Sequence, residues 1–126
     1  MVPGDHGTTY GGNPLVTAAA GAVLDIFEKR QITDHVKEVG AYLYEKLEEL
    51  TKKIRYHLRP QRSGTDPGAG VYRSCRPYCI KKLFLEEKLV LISAGSHIIR
   101  FVPPLIIQKS DVDEMAARLE RVLKNL

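Results

Sequence analysis

The sequence is poor in the residues that stabilise small secreted or metal-dependent domains. It contains no tryptophan and only two cysteines, Cys75 and Cys79, among its 126 residues. These cysteines lie too close together to cross-link much of a fold, and they have no second ligand pair that would complete a zinc site. The cysteine content therefore argues against a disulfide scaffold and fits a reducing compartment. We expect a cytoplasmic protein with no metal site.

Long hydrophobic runs are absent as well. No apolar stretch approaches the roughly 20 residues that a membrane helix requires, and the chain opens without a basic, apolar and small-residue signal pattern. We therefore expect no association with a membrane. With 44% hydrophobic and 27% charged residues, the composition is that of a globular protein, and the length suits a single domain.

Acidic residues are almost missing from one segment. Residues 55–79 contain five arginines and a single acid, Asp66, so they account for the whole formal net charge of +4. Arginines interspersed with tyrosines can contact phosphates and stack on bases. This Arg-rich segment, extended to residues 55–82, supports an alternative function as a stand-alone module that binds nucleic acid. No known nucleic-acid motif surrounds it, and we do not favour nucleic acid as a partner.

Apolar residues at helical spacing predict two helices in the first half of the chain. Asn13 and Pro14 are typical of an N-cap and a first helical residue, and the second helix is predicted from near Thr33 or Asp34 to about Ile54. We expect both apolar stripes to be core. They comprise Leu15, Ala18, Ala19, Ala22, Val23, Ile26 and Phe27 in the first helix, and Val36, Val39, Gly40, Leu43, Leu47, Leu50 and Ile54 in the second.

The second half of the chain predicts a different arrangement. Residues 56–79 show no period of 2 or 3.6 and contain three prolines, so an irregular segment is expected there. A short helix at 80–87, strands at 89–92 and 98–102, and a final helix capped by Ser110 should follow. Helices combined with a small sheet predict an α+β domain built of α/β layers.

Two positions have the residue types that bind anions. Residues 6–14, HGTTYGGNP, form a glycine-rich turn before a capped helix, where backbone N–H groups and threonine hydroxyls favour an anion. An ordinary glycine-rich helix entry is the alternative. Arg100 stands in the middle of an apolar strand, so it either pairs with a carboxylate or phosphate or points to solvent.

Both motifs resemble the pyridoxal-phosphate aminotransferases of subgroup III, and the acetylornithine aminotransferases most of all. The resemblance rests on HGTTYGGNP at 6–14 and SAGSHIIRFVPPL at 93–105, and it covers residues 3–54 and 80–126. It implies the C-terminal small domain of a fold-type I pyridoxal-phosphate transferase. Residues 1–12 would be a phosphate-binding loop or tail, and residues 13–126 would be the small domain, atypical at 56–79.

The resemblance also implies roles for particular residues. Thr9 would bind the phosphate of pyridoxal 5'-phosphate held by the neighbouring subunit of a homodimer, in a loop shaped by Gly7, Thr8 and Tyr10. Arg100 would bind the α-carboxylate of amino-acid and 2-oxo-acid substrates, because a guanidinium matches a carboxylate bidentately. The parent reaction would transfer an amino group between N-acetylornithine, or ornithine, and 2-oxoglutarate, a step of arginine biosynthesis.

Other residues that this family requires lie upstream of its HG-x-T loop. They are the Schiff-base lysine, the aspartate paired with the pyridine nitrogen and the aromatic residue stacked on the ring, and no lysine of this sequence occupies the corresponding motif. We therefore expect the 126-residue chain alone to be inactive, to contain no catalytic residue and to bind no cofactor stably.

The resemblance stops abruptly within residues 56–79. The family has a segment of the form Arg-Gly-x-Gly-Leu-x-x-Gly-x-Glu-Phe here, whereas this chain has QRSGTDPGAGV at 61–71. Codons for the observed residues, read one nucleotide later, permit Arg-Gly-Gln-Gly-Leu-Ile-Gln-Gly-Leu-Glu-Phe. We hypothesise two compensating frameshifts around this segment, and we expect it to be loop-like, which would leave the two predicted strands without further partners.

Overall fold

The computed structural model describes residues 7–54, 59–62, 70–73, 77–94 and 98–125, and the chain divides into two compact units at residues 1–33 and 34–126. No helix among these described residues is long and apolar enough to cross a membrane. The helices are α1 (Pro14–Lys29), α2 (Ile32–Lys53), α3 (Pro77–Glu87) and α4 (Lys109–Lys124). The strands are β1 (Arg59–Arg62), β2 (Gly70–Arg73), β3 (Ile92–Ala94) and β4 (Ile98–Phe101).

Helix α1 begins where the sequence predicts. The Asn13 side chain accepts a hydrogen bond from the Val16 N–H at 3.1 Å, and Pro14 occupies the first turn. None of the helix residues is buried, and Leu15 and Leu24 are 80% and 69% exposed. The prediction that this stripe is core is therefore wrong for the 126-residue chain. Apolar periodicity shows which face a helix is suited to bury, but not which part of a protein covers it.

Helix α2 confirms its predicted core face. Val39, Leu43, Leu47 and Leu50 are buried, and Leu47 is fully inaccessible. They belong to one cluster with α3, α4 and β4, which holds the sheet and helices of the 34–126 unit together. The other buried members are Ile54, Cys79, Leu83, Ile99, Phe101, Val112, Ala116, Leu119, Val122 and Leu123.

The sheet contains a hairpin that the sequence did not predict. Its strand order is β1-β2-β4-β3, with every neighbouring pair antiparallel. Strand β2 pairs with β4 through Gly70 opposite Phe101, so β4 lies between β2 and β3. The expectations of a wholly irregular 56–79 segment and of unpartnered strands are wrong. Ladder hydrogen bonds use the backbone, and a neighbouring strand can order a sequence that has no apolar alternation.

Several element boundaries also differ from prediction. Strand β3 begins at Ile92 instead of residue 89, and α4 is capped two residues before the expected position. The Gln108 N–H donates to Asp111 Oδ2 at 2.8 Å, whereas Ser110 lies inside the helix. Asp113, further along the helix, accepts a hydrogen bond from the Tyr42 hydroxyl at 2.7 Å.

Helix α3 buries Cys79 and Leu83 against the cluster. Cys79 is disulfide-bonded in this structure, whereas the sequence had led us to expect reduced thiols. Cys75 lies outside the described residues.

Candidate functional site

Arg100 lies at the third position of β4, where strand alternation directs it away from the core. Its neighbours Ile99 and Phe101 are buried to 2% and 3% exposure, while Arg100 itself is exposed. Of the two alternatives that the sequence left open, the structure selects the outward-facing one. The guanidinium is therefore held by a rigid strand whose opposite face is anchored in the core.

Arg100 is one of the residues that line a groove with a volume of about 380 Å³. Its surroundings are mainly apolar, and Ile92, directly opposite Arg100 in the β3–β4 pairing, remains 58% exposed. The other lining residues come from α2, β4, the segments flanking β3 and β4, and α4: Leu43, Leu89, Val90, Leu91, Phe101, Val102, Pro103, Pro104, Ile107, Asp111, Val112 and Met115. A positive charge beside exposed apolar side chains suits a ligand that combines a carboxylate with an aliphatic portion.

The two charged residues of this groove, Asp111 and Arg100, differ in whether they have a partner among the described residues. Asp111 accepts the Gln108 N–H, so its carboxylate already serves as a helix cap. Within the described residues, Arg100 has no carboxylate partner, whereas Arg118 pairs with Glu114 and Arg121 pairs with Glu87. The hydrogen-bonding fork of Arg100 is therefore available to an anion from outside these elements.

Ion pairs connect helices of the 34–126 unit. Arg121 donates to both carboxylate oxygens of Glu87 at 2.6–3.1 Å, which links α4 to the end of α3. This hydrogen bonding holds the pKa of Glu87 below its usual range. Lys109 at the start of α4 donates to Glu38 of α2 at 2.6 Å, and the same interaction lowers the pKa of Glu38.

The predicted anion-binding loop before α1 is a tight turn. The Gly11 N–H donates to the Thr8 carbonyl at 3.3 Å, and Gly12 adopts φ +76°, which favours glycine. A Cβ on Gly11 would lie 2.6 Å from Thr8 Oγ1, so glycine leaves room for that hydroxyl. Thr8 and Thr9 are both exposed.

The donors of this loop differ from those that the sequence suggested. Pro14 has no N–H, and the Val16 N–H already donates to Asn13. Backbone groups of the first helical turn therefore contribute less than expected, and the hydroxyls of Thr8 and Thr9 remain as exposed donors. His6 lies outside the described residues. The loop belongs to the 1–33 unit, and Arg100 belongs to the 34–126 unit.

The sequence did not indicate the long-range contact that His35 of α2 makes. The side chain is half-buried, and its Nε2 lies 2.8 Å from the Ile107 carbonyl oxygen. Pro103 and Pro104 are the sequence feature that could have indicated such a contact, because a segment with few N–H groups needs hydrogen bonds from other parts of the chain.

Metal ligation gains no support from the structure. Among the described residues, no group of three or more histidine, cysteine, aspartate or glutamate side chains could hold a metal ion. His57, Cys75 and His97 lie outside these residues. The nucleic-acid hypothesis for residues 55–82 stays a prediction, because the structure describes no side chain of the five arginines in that segment.

Comparison with known proteins identifies the relatives of this chain. Residues 1–123 match the model of the class-III aminotransferase family. The acetylornithine aminotransferase of Gloeobacter violaceus is 42% identical over 124 residues, which are 98% of this chain and 31% of that protein. The ornithine aminotransferase of Bacillus subtilis is 36% identical over 123 residues, 98% of this chain and 30% of that protein. The chain thus spans about a third of the length of these curated relatives.

Solved structures show the same fold. The acetylornithine aminotransferase of Elizabethkingia anophelis superposes with a TM-score of 0.80 at 24% identity, covering 100% of this chain and 32% of that one. The ornithine delta-aminotransferase of Plasmodium falciparum gives a TM-score of 0.78 at 26% identity, covering 99% of this chain and 33% of that one. The helices and small sheet described above are therefore part of the larger fold of pyridoxal-phosphate transferases, and the chain belongs to the class-III aminotransferase family.

Proposed function

We propose that this chain is the small-domain part of an aminotransferase that transfers an amino group between N-acetylornithine, or ornithine, and 2-oxoglutarate. One observation carries the proposal: Arg100 projects from a core-anchored strand into a mainly apolar groove and has no carboxylate partner among the described residues. The names of the relatives, acetylornithine and ornithine aminotransferases, support this substrate class.

Arg100 is suited to the one group that the amino-acid and 2-oxo-acid substrates share. 2-Oxoglutarate carries a carboxylate next to its reacting carbon, whereas N-acetylornithine and ornithine carry theirs at the end of the molecule opposite the terminal amino group. A guanidinium can donate two parallel N–H bonds to either carboxylate. The aliphatic part of an ornithine-type substrate could lie against exposed apolar residues of the groove, such as Val90 and Val102. The arrangement orients a substrate by its carboxylate and leaves the chemistry to other groups.

The loop before α1 fits a role in holding the cofactor phosphate. Thr9, with Thr8 and Gly7 in the same loop, presents exposed hydroxyl and backbone donors, and Gly11 keeps the space beside Thr8 Oγ1 open. Pyridoxal phosphate, when bound, supplies the electron-withdrawing ring that makes amino-group transfer possible. The contribution of these residues would be to anchor its phosphate through hydrogen bonds.

We propose further that the activity requires residues beyond these 126. Helix α1 exposes an apolar stripe, including Leu15 and Leu24, that a complete enzyme would cover through its large domain or its second subunit. The complete enzyme here means an aminotransferase polypeptide that contains these residues and the upstream region of its relatives. Produced alone, the 126-residue chain should not catalyse amino transfer or retain pyridoxal phosphate.

Two measurements test this proposal. The complete enzyme should form glutamate from N-acetylornithine and 2-oxoglutarate, whereas the 126-residue chain should form none and should show no cofactor absorbance after gel filtration. Catalysis by the chain alone would contradict its dependence on the upstream region. A complete enzyme inactive with both N-acetylornithine and ornithine would contradict the substrate assignment.

The phosphate site is tested separately by Thr9→Val, which removes one hydroxyl donor at nearly constant volume. In the complete enzyme we expect weaker retention of pyridoxal phosphate on dilution, by about 10- to 150-fold in Kd for the loss of one hydrogen bond to a charged group. Thr33→Val changes another exposed threonine and serves as the matched control. Equal cofactor affinity in both variants would remove Thr9 from the phosphate site.

A further inference from the structure

His35 connects α2 to the segment between β4 and α4. Its Nε2 lies 2.8 Å from the carbonyl oxygen of Ile107, a residue 72 positions away in sequence. A carbonyl oxygen can only accept a hydrogen bond, so this geometry requires a proton on Nε2. The bond therefore selects the Nε2–H tautomer when the ring is neutral.

The segment that receives this bond has little backbone support of its own. Pro103 and Pro104 lack N–H groups, and the Ile107 N–H reaches back only to the Pro104 carbonyl, at 3.3 Å. The Gln108 side chain donates to the Ile106 carbonyl at 3.1 Å, which is again a local contact. The bond from His35 ties this segment to a helix whose buried face lies in the core.

The same segment forms one side of the Arg100 groove. Val102, Pro103, Pro104 and Ile107 all line it, and β4, which carries Arg100, leads directly into them. A shift of Ile107 would change the distance between this wall and the guanidinium. Binding groups displaced by about an ångström can lose much of their effect.

We propose that His35 is a positioning residue for the carboxylate site: through the Ile107 carbonyl it sets the separation between the 102–107 wall and Arg100. The inference rests on the proposed function, because it assumes that the groove binds a carboxylate substrate. His35 would act on substrate binding and not on the transfer step, since it reaches the groove only through the backbone of Ile107.

The test compares His35→Leu with His35→Gln in the complete enzyme, with Arg100→Lys measured beside them. Leucine fills the site with an apolar side chain that has no hydrogen-bond donor, whereas the glutamine amide can place an N–H close to the position of Nε2. We expect His35→Leu to raise the KM for N-acetylornithine about 2- to 10-fold, as for the loss of one neutral hydrogen bond, with kcat unchanged. His35→Gln should restore most of the wild-type KM.

The outcomes separate this inference from the proposed function. If Arg100→Lys raises KM while His35→Leu leaves it unchanged, or if glutamine fails to rescue, the positioning role is refuted and the carboxylate site stands. If Arg100→Lys itself has no effect, the proposed function fails first. Should His35→Leu not fold, ¹⁵N spectra of the histidine-labelled wild-type enzyme decide: an Nε2–H signal for His35 supports the role, and an unprotonated Nε2 overturns it.

Discussion

Arg100→Lys is the substitution that most directly tests the function of the groove. It keeps the positive charge and most of the side-chain length but replaces a planar fork with a single ammonium group. Because Arg100 is exposed on β4 and has no ion pair among the described residues, the change removes no contact on which the fold depends. We expect the thermal unfolding midpoint to stay close to that of the wild type, as for most surface substitutions.

The binding loss can be worked out from the hydrogen bonds involved. A bidentate carboxylate–guanidinium pair has two charge-assisted bonds, and an ammonium group at the same site can replace one of them. The lost bond costs about 1.5–3 kcal/mol, which corresponds to roughly 10- to 150-fold in kcat/KM. Apolar contacts with Ile92 and its neighbours would be retained, so binding should weaken and not disappear.

The assay measures kcat/KM of the complete enzyme with N-acetylornithine and with its α-carboxamide, which lacks the negative charge. The wild type should prefer the carboxylate strongly, and Arg100→Lys should lose most of this preference while processing the amide about as well as the wild type. Arg30→Lys, at the exposed C-terminal end of α1, is the matched control. Equal carboxylate preference in the wild type and Arg100→Lys would refute the assignment.

Three further predictions concern stability and the coding sequence. Leu47→Ala should destabilise the chain by about 2–5 kcal/mol in urea unfolding because Leu47 is fully buried, whereas Leu24→Ala, 69% exposed, should change little; equal effects would contradict the described core. The Lys109 hydrogen bond lowers the pKa of Glu38, so this pair stabilises the fold above the ordinary glutamate pKa and loses its effect as the pH falls through the lowered value. The midpoint difference between wild type and Glu38→Gln should therefore shrink between about pH 6 and pH 3, and a constant difference would count against it. Sequencing the coding DNA tests the frameshift hypothesis, since codons for 61–71 that do not permit the shifted peptide would end it.

Local sequence signals predicted those features that depend on neighbouring residues. Asn13 and Pro14 marked the start of α1, since a cap and a first-turn proline act within one turn of helix. The period of α2 identified Leu43 and Leu47 as core, because a long helix with one apolar stripe has one favourable way to bury it. The HGTTYGGNP and IIRFVPPL motifs pointed to the family that the comparisons confirmed.

Long-range pairing accounts for the features that the sequence did not predict. Strand β2 pairs with β4, and the polar, proline-containing residues of the 56–79 segment show no local pattern that predicts this pairing. Likewise, the hydrogen bond from His35 to Ile107 links residues 72 apart, and no periodic pattern identifies such a partner.

Arg100 shows what the sequence determines by itself and what requires the tertiary structure. The sequence by itself determined that a guanidinium stands inside an apolar strand, but it left burial and exposure equally open. Only the tertiary structure decided between them: Ile99 and Phe101 face the core, so Arg100 faces away from it. The physical reason is that strand alternation specifies two faces, whereas the packing of distant helices determines which of them is buried.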